Sequence, residues 1–182
     1  MSNDKALLLN PQKVALITKR FALQIVENHK SFENVAILGL QPRGIDLARC
    51  VKNEVSNLVG VDLKFGELDH TFFRDDIGRG EIHIPKPSKI EFSTEGMNII
   101  IIDDVLFTGR SVRAAIDAIL RYGRPSRIEL MVLVERIFER ELPIKPDYKG
   151  ISIDSRKVNQ KVKVDWQNDD NVNVWLLNQD KV

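Results

Sequence analysis

The run Asn98-Ile99-Ile100-Ile101-Ile102 constrains this chain more than any other stretch. Consecutive β-branched residues resist helix formation, and an unbroken apolar row leaves neither face of a strand for water. Such a row fits a parallel strand covered on both sides, and parallel neighbours must be joined by crossover helices. The flanking patterns supply those partners. Val35 to Leu40 is a short apolar run broken by Gln41-Pro42-Arg43-Gly44, and residues 127 to 134 form another. Residues 61 to 68 and 172 to 177 read as further strands. Between them lie helical patterns. One starts at Asn10-Pro11 with Val14, Ile17, Phe21 and Ile25 on one face, one spans 45 to 58, and one spans 110 to 122, ending at Gly123. Strands alternating with helices predict an α/β domain with a mainly parallel central sheet flanked by helices. Residues 69 to 97, with Gly78, Gly80, Pro85, Pro87 and Gly96, read as a long functional excursion, and 135 to 161 as irregular and polar.

Composition narrows the setting. A length of 182 residues with 43% hydrophobic and 29% charged residues suits one domain with one sizeable core. A net charge of +1 gives no global pull toward nucleic acid, although local clustering could supply one. Cys50 is the sole cysteine, which excludes an internal disulfide, and its apolar helical setting reads as a structural thiol. Residues 1 to 10 carry no leader pattern, and no apolar run approaches the roughly 20 residues a membrane span needs. A cytoplasmic protein with no membrane partner is the expectation. His29, His70 and His83 are scattered without metal-ligand spacing.

The chemistry concentrates where the isoleucine strand ends, in Asp103-Asp104-Val105-Leu106-Phe107-Thr108-Gly109-Arg110-Ser111. In open α/β sheets ligands gather at the carboxyl ends of strands. Two carboxylates there can accept from sugar hydroxyls. The following turn, with Thr108, Gly109 and Ser111 opening a helix, offers outward N–H groups and a dipole that favours an anion. Paired acceptors beside an anion cradle fit a ribose 5-phosphate. Neither G-x-x-x-x-G-K-[ST] nor G-x-G-x-x-G is present. The plainer reading, a helix cap beside two surface acids, does not explain adjacent acids at the end of a buried strand. Arg43 lies in a turn after a buried strand. Arg74-Asp75-Asp76, taken alone, is a solvated charge cluster.

This segment resembles the 5-phosphoribosyl-1-pyrophosphate (PRPP) motif of type I phosphoribosyltransferases. Together with Gly123-Arg124-Pro125-Ser126-Arg127, Arg140-Glu141-Leu142-Pro143-Ile144, Pro42-Arg43-Gly44, Arg74-Asp75-Asp76 and Asp147-Tyr148, it is similar to the PyrR family. That family comprises bacterial pyrimidine-operon attenuation proteins with uracil phosphoribosyltransferase activity. The resemblance implies a single domain of type I phosphoribosyltransferase fold with a small hood, about 135–162, and a mobile catalytic loop, about 70–90. It implies transfer of phosphoribose from PRPP to uracil, giving UMP and pyrophosphate. Asp103, Asp104 and Arg74 are the catalytic candidates. Pro42, Arg43 and Gly44 form the pyrophosphate loop, and Asp103 to Ser111, including Val105, Leu106 and Arg110, the PRPP-binding segment. Phe107, Arg136 and Val162 face the base. Mg²⁺ is expected to arrive with PRPP and water near Asp103 and Asp104, with no direct protein cage. A homodimer or higher homo-oligomer is implied as well.

Two departures from the family pattern bear on partners. Phe107 stands where purine-specific relatives carry an Asp that hydrogen-bonds a ring nitrogen and where PyrR-like chains usually carry tyrosine, which points to a pyrimidine. The hood opens with Val134-Glu135-Arg136-Ile137-Phe138-Glu139-Arg140, one residue longer than the usual Val-Asp-Arg-Gly-His-Arg. Arg140 and Lys145 keep basic positions that the family uses toward RNA, and Lys19 takes one on the first helix. Lys149, Arg156, Lys157, Lys161 and Lys163 add charge around the hood. An RNA stem-loop partner therefore stands beside the enzyme reading, as does a solvated basic face. So do an attenuator with little enzymatic role and a transferase for another base.

Overall fold

Asn10 starts the first helix as its position suggests, its side chain accepting from the Lys13 N–H at 3.0 Å while Pro11 occupies the first turn. In the computed structural model, which describes residues 5–75, 85–154, 160–168 and 171–178, that helix is the first of three. The order is β1 (Lys5–Leu9), α1 (Pro11–Asn28), β2 (Val35–Leu40), α2 (Gly44–Val59), β3 (Lys64–Leu68), a 3₁₀ turn (Thr71–Phe73), β4 (Asn98–Leu106), α3 (Arg110–Ile119), β5 (Arg127–Ile137), β6 (Tyr148–Asp154), β7 (Gln160–Asn168) and β8 (Asn171–Asn178).

Five strands form a sheet in the order β3-β2-β4-β5-β6, every neighbouring pair parallel. The isoleucine run sits in its central strand, and alternate side chains feed two separate cores. Ile100 and Ile102 pack with Phe21, Ile25, Leu47 and Val51 beneath α1 and α2. Ile99 and Ile101 pack with Val112, Ala115 and Ile119 beneath α3. Both faces of β4 are thus covered, as the unbroken apolar row requires. Full burial of each such side chain contributes roughly 1.5–3 kcal/mol. This is the α/β architecture with a parallel central sheet between helices that the sequence predicts.

Several boundaries differ from the sequence reading. β4 does not stop at Ile102 but runs to Leu106, so the expected loop shrinks to Phe107, Thr108 and Gly109. The described part of 135–161 is not irregular throughout. β5 extends to Ile137, β6 joins the main sheet beside it, and β7 begins at Gln160. β1, β8 and β7 form a second, antiparallel sheet that draws on both ends of the described chain. Residues 76–84, inside the expected catalytic loop, and 155–159, inside the expected hood, lie outside the described residues, and with them Asp76, His83, Arg156 and Lys157. Cys50 is half-buried on α2. No helix among the described residues is long and apolar enough to cross a membrane.

Candidate active site

From β2 the chain moves outward to β3, then crosses back to place β4 on the other side of β2. The reversal makes a switch point between β2 and β4, where two successive loops diverge and leave a crevice at the strand ends. Pro42, Arg43 and Gly44 follow β2 on one side of it, and Asp103 and Asp104 end β4 on the other. Gly44 explains how the two come together. A Cβ there would collide with the Ile102 carbonyl oxygen and crowd the Asp103 Cα, so only glycine lets α2 begin against β4.

Within the crevice, a cavity of about 200 Å³ is bordered by Pro42, Arg43, Arg74, Asp103, Asp104 and Val105 at its floor and by Phe107, Arg136 and Val162 toward its roof. An adjoining cavity of about 430 Å³ is bordered by Asp103, Val105 and Leu106 and by the turn Phe107 to Ser111. Of the residues singled out for PRPP and the base, all but Gly44 border one of two adjacent cavities; Gly44 instead packs against β4 beneath them. Leu106 does so with its side chain packed in the core at 2% exposure, which leaves its backbone as the part facing the turn. Val162 arrives on β7, so the second sheet supplies part of the roof.

Asp104 is buried and Asp103 half-buried, in an environment that opposes ionisation. The Asp103 carboxylate accepts the Asp104 backbone N–H at 2.9 Å. Burial, followed by the neighbouring Asp104 charge, raises the Asp103 carboxyl well above the ordinary aspartate value. Burial also raises Asp104, against the opposing pull of Arg43. The next turn is built for an anion. Gly109 caps α3 with φ 94°, a left-handed conformation natural to glycine, and no side chain caps the helix. The Thr108 hydroxyl accepts the Arg110 N–H at 3.4 Å. Arg74 Nη1 donates to the Ser111 hydroxyl at 2.9 Å, which places it at the turn. Arg110 is held by Asp75 at 2.9 Å and Glu141 at 2.6 Å.

The roof is tied down by ion pairs. The Arg136 guanidinium lies over the Phe107 ring, 4.1 Å from its centroid. Arg140, one of the basic positions associated with RNA, donates to the Phe107 carbonyl and pairs with Glu135 at 3.4 Å. Lys19 and Lys145 are exposed. Sequence reasoning missed Gln41, His70, Thr71 and Lys161, which also border the first cavity. Gln41 and Lys161 had a signal as neighbours in sequence of Pro42 and Val162, and His70 and Thr71 only as the first residues of the expected catalytic loop.

Comparison with known proteins accords with this arrangement. The phosphoribosyl transferase domain matches residues 6–168. A hypoxanthine phosphoribosyltransferase from Staphylococcus aureus shares the fold with a TM-score of 0.66 at 18% identity, over 82% of this chain and 78% of that one. The Trypanosoma cruzi hypoxanthine phosphoribosyltransferase in complex with the product IMP aligns with a TM-score of 0.68 at 15% identity, over 84% and 82%. The chain is thus a phosphoribosyltransferase by class. Its sequence is 39% identical over 175 residues to the bifunctional protein PyrR of Deinococcus radiodurans, covering 96% of this chain and 94% of that protein. It is 42% identical over 164 residues to the bifunctional protein PyrR of Caldicellulosiruptor bescii, covering 89% and 88%. This chain belongs to the PyrR family of phosphoribosyltransferases.

Proposed function

We propose that the protein transfers the 5-phosphoribosyl group of PRPP to uracil, giving UMP and pyrophosphate. The observation that carries the choice of base is Phe107 at the roof, an aromatic ring stacked with Arg136 where an acid would be needed to hold a purine ring nitrogen. Phe107 offers no proton acceptor, so a pyrimidine gains its contacts from stacking and from the Arg136 and Val162 side of the cavity.

Asp103 and Asp104 accept hydrogen bonds from the ribose hydroxyls, and the turn Thr108 to Ser111 holds the 5-phosphate through backbone N–H groups and hydroxyls. As N1 of uracil attacks C1 and the bond to pyrophosphate breaks on the opposite face, positive charge grows on the ribose ring. Two adjacent carboxylates whose ionisation their surroundings oppose then meet a positive charge, an electrostatic gain specific to the transition state. Arg43, in the loop after β2, faces the departing pyrophosphate, and Arg74 serves the phosphates from the turn side. The hard oxygens of Asp103 and Asp104 suit Mg²⁺ bound through substrate oxygens and water. When bound, Mg²⁺ neutralises the leaving pyrophosphate. Pyrophosphate release measured with uracil, orotate, hypoxanthine, guanine and adenine tests the reading. Uracil should give the highest kcat/KM, and a higher value for hypoxanthine or guanine would refute it.

A second role, binding an RNA stem-loop, is favoured by the exposed Lys19 and Lys145. With Arg140 engaged by Glu135 and Phe107, we propose that this binding is mainly phosphate attraction, falling steeply with salt and discriminating little between RNAs. Gel shifts with a stem-loop and a scrambled RNA at two salt concentrations test it. Tight stem-loop preference at physiological salt would make regulation the main function. We further propose a cytoplasmic homodimer as the minimal unit, with Leu16 and Leu23, exposed on α1, as the apolar part of the contact. Light scattering that finds only a 20.8 kDa species at micromolar concentration would refute the dimer.

A further inference from the structure

The short turn after β5 contains the sole non-glycine residue among the described residues with a left-handed backbone, Phe138 at φ 72°. Its side chain is 67% exposed, so its own burial does not hold it there. A left-handed conformation costs a residue with a Cβ roughly 1–2 kcal/mol and persists only where surrounding contacts enforce it. One such contact comes from the next residue. The turn brings Glu139 back over the end of β5, where both of its carboxylate oxygens accept from Arg136 Nη2 at 2.9 Å. Arg136 is 7% exposed. A buried guanidinium without a carboxylate partner would be costly.

The pair controls the base end of the cavity. The Arg136 guanidinium lies over the Phe107 ring, and both residues border the cavity together with Val162. The cations Arg43, Arg74 and Lys161 border the same cavity, a set suited to the polyanionic part of a phosphoribosyl substrate. A further uncompensated cation at the base end would draw in any base that carries its own negative charge. Glu139 offsets that cation and fixes its plane on the ring.

We propose that Glu139 is a positioning and specificity-determining residue. Without touching the base, it orients Arg136 against Phe107 and neutralises it, so that the cavity takes an uncharged heterocycle and disfavours a carboxylated one. The inference rests on the phosphoribosyl-transfer reading above and adds to it the device that separates neutral from anionic bases.

Calorimetric binding of UMP, orotidine 5′-monophosphate and ribose 5-phosphate to the wild type, Glu139→Gln and Glu139→Ala tests it. Gln keeps the size of the side chain and removes the charge. Both variants should bind ribose 5-phosphate within twofold of the wild type. UMP should weaken about fivefold or more, and the affinity ratio of the carboxylated nucleotide to UMP should rise at least fivefold. A ratio unchanged within twofold, or equal weakening of all three ligands as from a merely structural role, would overturn the proposal. If the wild type prefers a purine nucleotide to UMP, the uracil reading fails, and the ratio is taken against that nucleotide with the same criterion. A wild type that binds no nucleotide more tightly than ribose 5-phosphate has no base site, which overturns both.

Discussion

At the amino-terminal end of the parallel sheet, Glu129 on β5 is buried to 1% exposure, and its surroundings answer its charge. The Tyr148 hydroxyl donates to it at 2.7 Å, His29 Nε2 lies 3.1 Å away, Arg127 pairs with its other oxygen at 2.9 Å, and Asn28 donates to the Tyr148 hydroxyl at 3.2 Å. Burial, reinforced by Glu129, pushes the Tyr148 hydroxyl far above its ordinary range and keeps it a donor. Toward the carboxyl-terminal end, buried Asp104 and half-buried Asp103 lie side by side, and loss of solvent raises both. The first carboxylate is surrounded by donors and cations, one of its oxygens meeting Arg127 as an ion pair, whereas the second pair places two like charges side by side and holds its protons more tightly. A buried carboxylate marks a binding site when its partners must come from outside and a structural node when they are already present.

The contrast predicts opposite mutational behaviour. The largest expected effect on stability is at the satisfied end. Glu129→Ala should destabilise the fold by about 3–5 kcal/mol, as removal of one member of a buried pair does, lowering Tm on the order of 10 °C. Pyrophosphate release well below Tm should change by less than about threefold. A large loss of turnover with unchanged melting would erase the distinction between the two ends.

The pH dependence of stability sharpens it. Asp103 and Asp104 bind protons more tightly folded than unfolded. Their contribution to stability is therefore fully present below the unfolded aspartate pKa, about 3.9, and is lost as pH rises through their raised folded values. Glu67 and Glu135 shift the other way: burial would raise them, but hydrogen bonds from Arg49 and Lys89, and from Lys149 and Ser152, bring them lower. The difference between wild type and Asp103→Asn/Asp104→Asn isolates the pair. Urea unfolding of the ligand-free protein should show the double variant gaining on the wild type from acid to neutral pH. A difference that stays flat or reverses would refute the assignment.

The smallest expected effect is at the roof. Phe107→Asp removes the ring under Arg136 and with it a cation–π contact worth about 0.5–2 kcal/mol. It should lower uracil kcat/KM by roughly 2- to 30-fold, the range those energies convert to. Any improvement in uracil use would contradict the role given to the ring.

Much of this was legible from sequence because the central sheet announces itself. Val35–Leu40, Asn98–Ile102 and residues 127–134 are apolar on both faces, and only a parallel strand between helices satisfies them. β1, β6 and β7 were not read. β1 has only five residues, and its partner β8 lies at the far end of the described chain. β6 carries Gly150, where a Cβ would strike the Leu133 carbonyl, so close backbone packing replaces the side-chain pattern of a strand. β7 does alternate, with Val162 and Val164 between Lys161, Lys163 and Asp165, but its lysines suggested a charge cluster. The same split runs through the site. The acids and the anion turn form one continuous segment of chemistry, so Asp103 to Ser111 stood out. Thr71 and His70 reach the cavity only through the path of the chain after β3. The Arg136–Glu139 clamp depends on a left-handed turn at a phenylalanine, which no propensity suggests.

The most direct test of the account is uracil-dependent pyrophosphate release by Asp103→Asn/Asp104→Asn, at saturating PRPP and Mg²⁺ and below the Tm of both proteins. Loss of electrostatic stabilisation worth about 3–4 kcal/mol should reduce turnover by roughly 10²- to 10³-fold, with a Tm at neutral pH no lower than that of the wild type. Turnover within tenfold of the wild type would contradict the claim that the adjacent acids at the end of β4 carry the reaction.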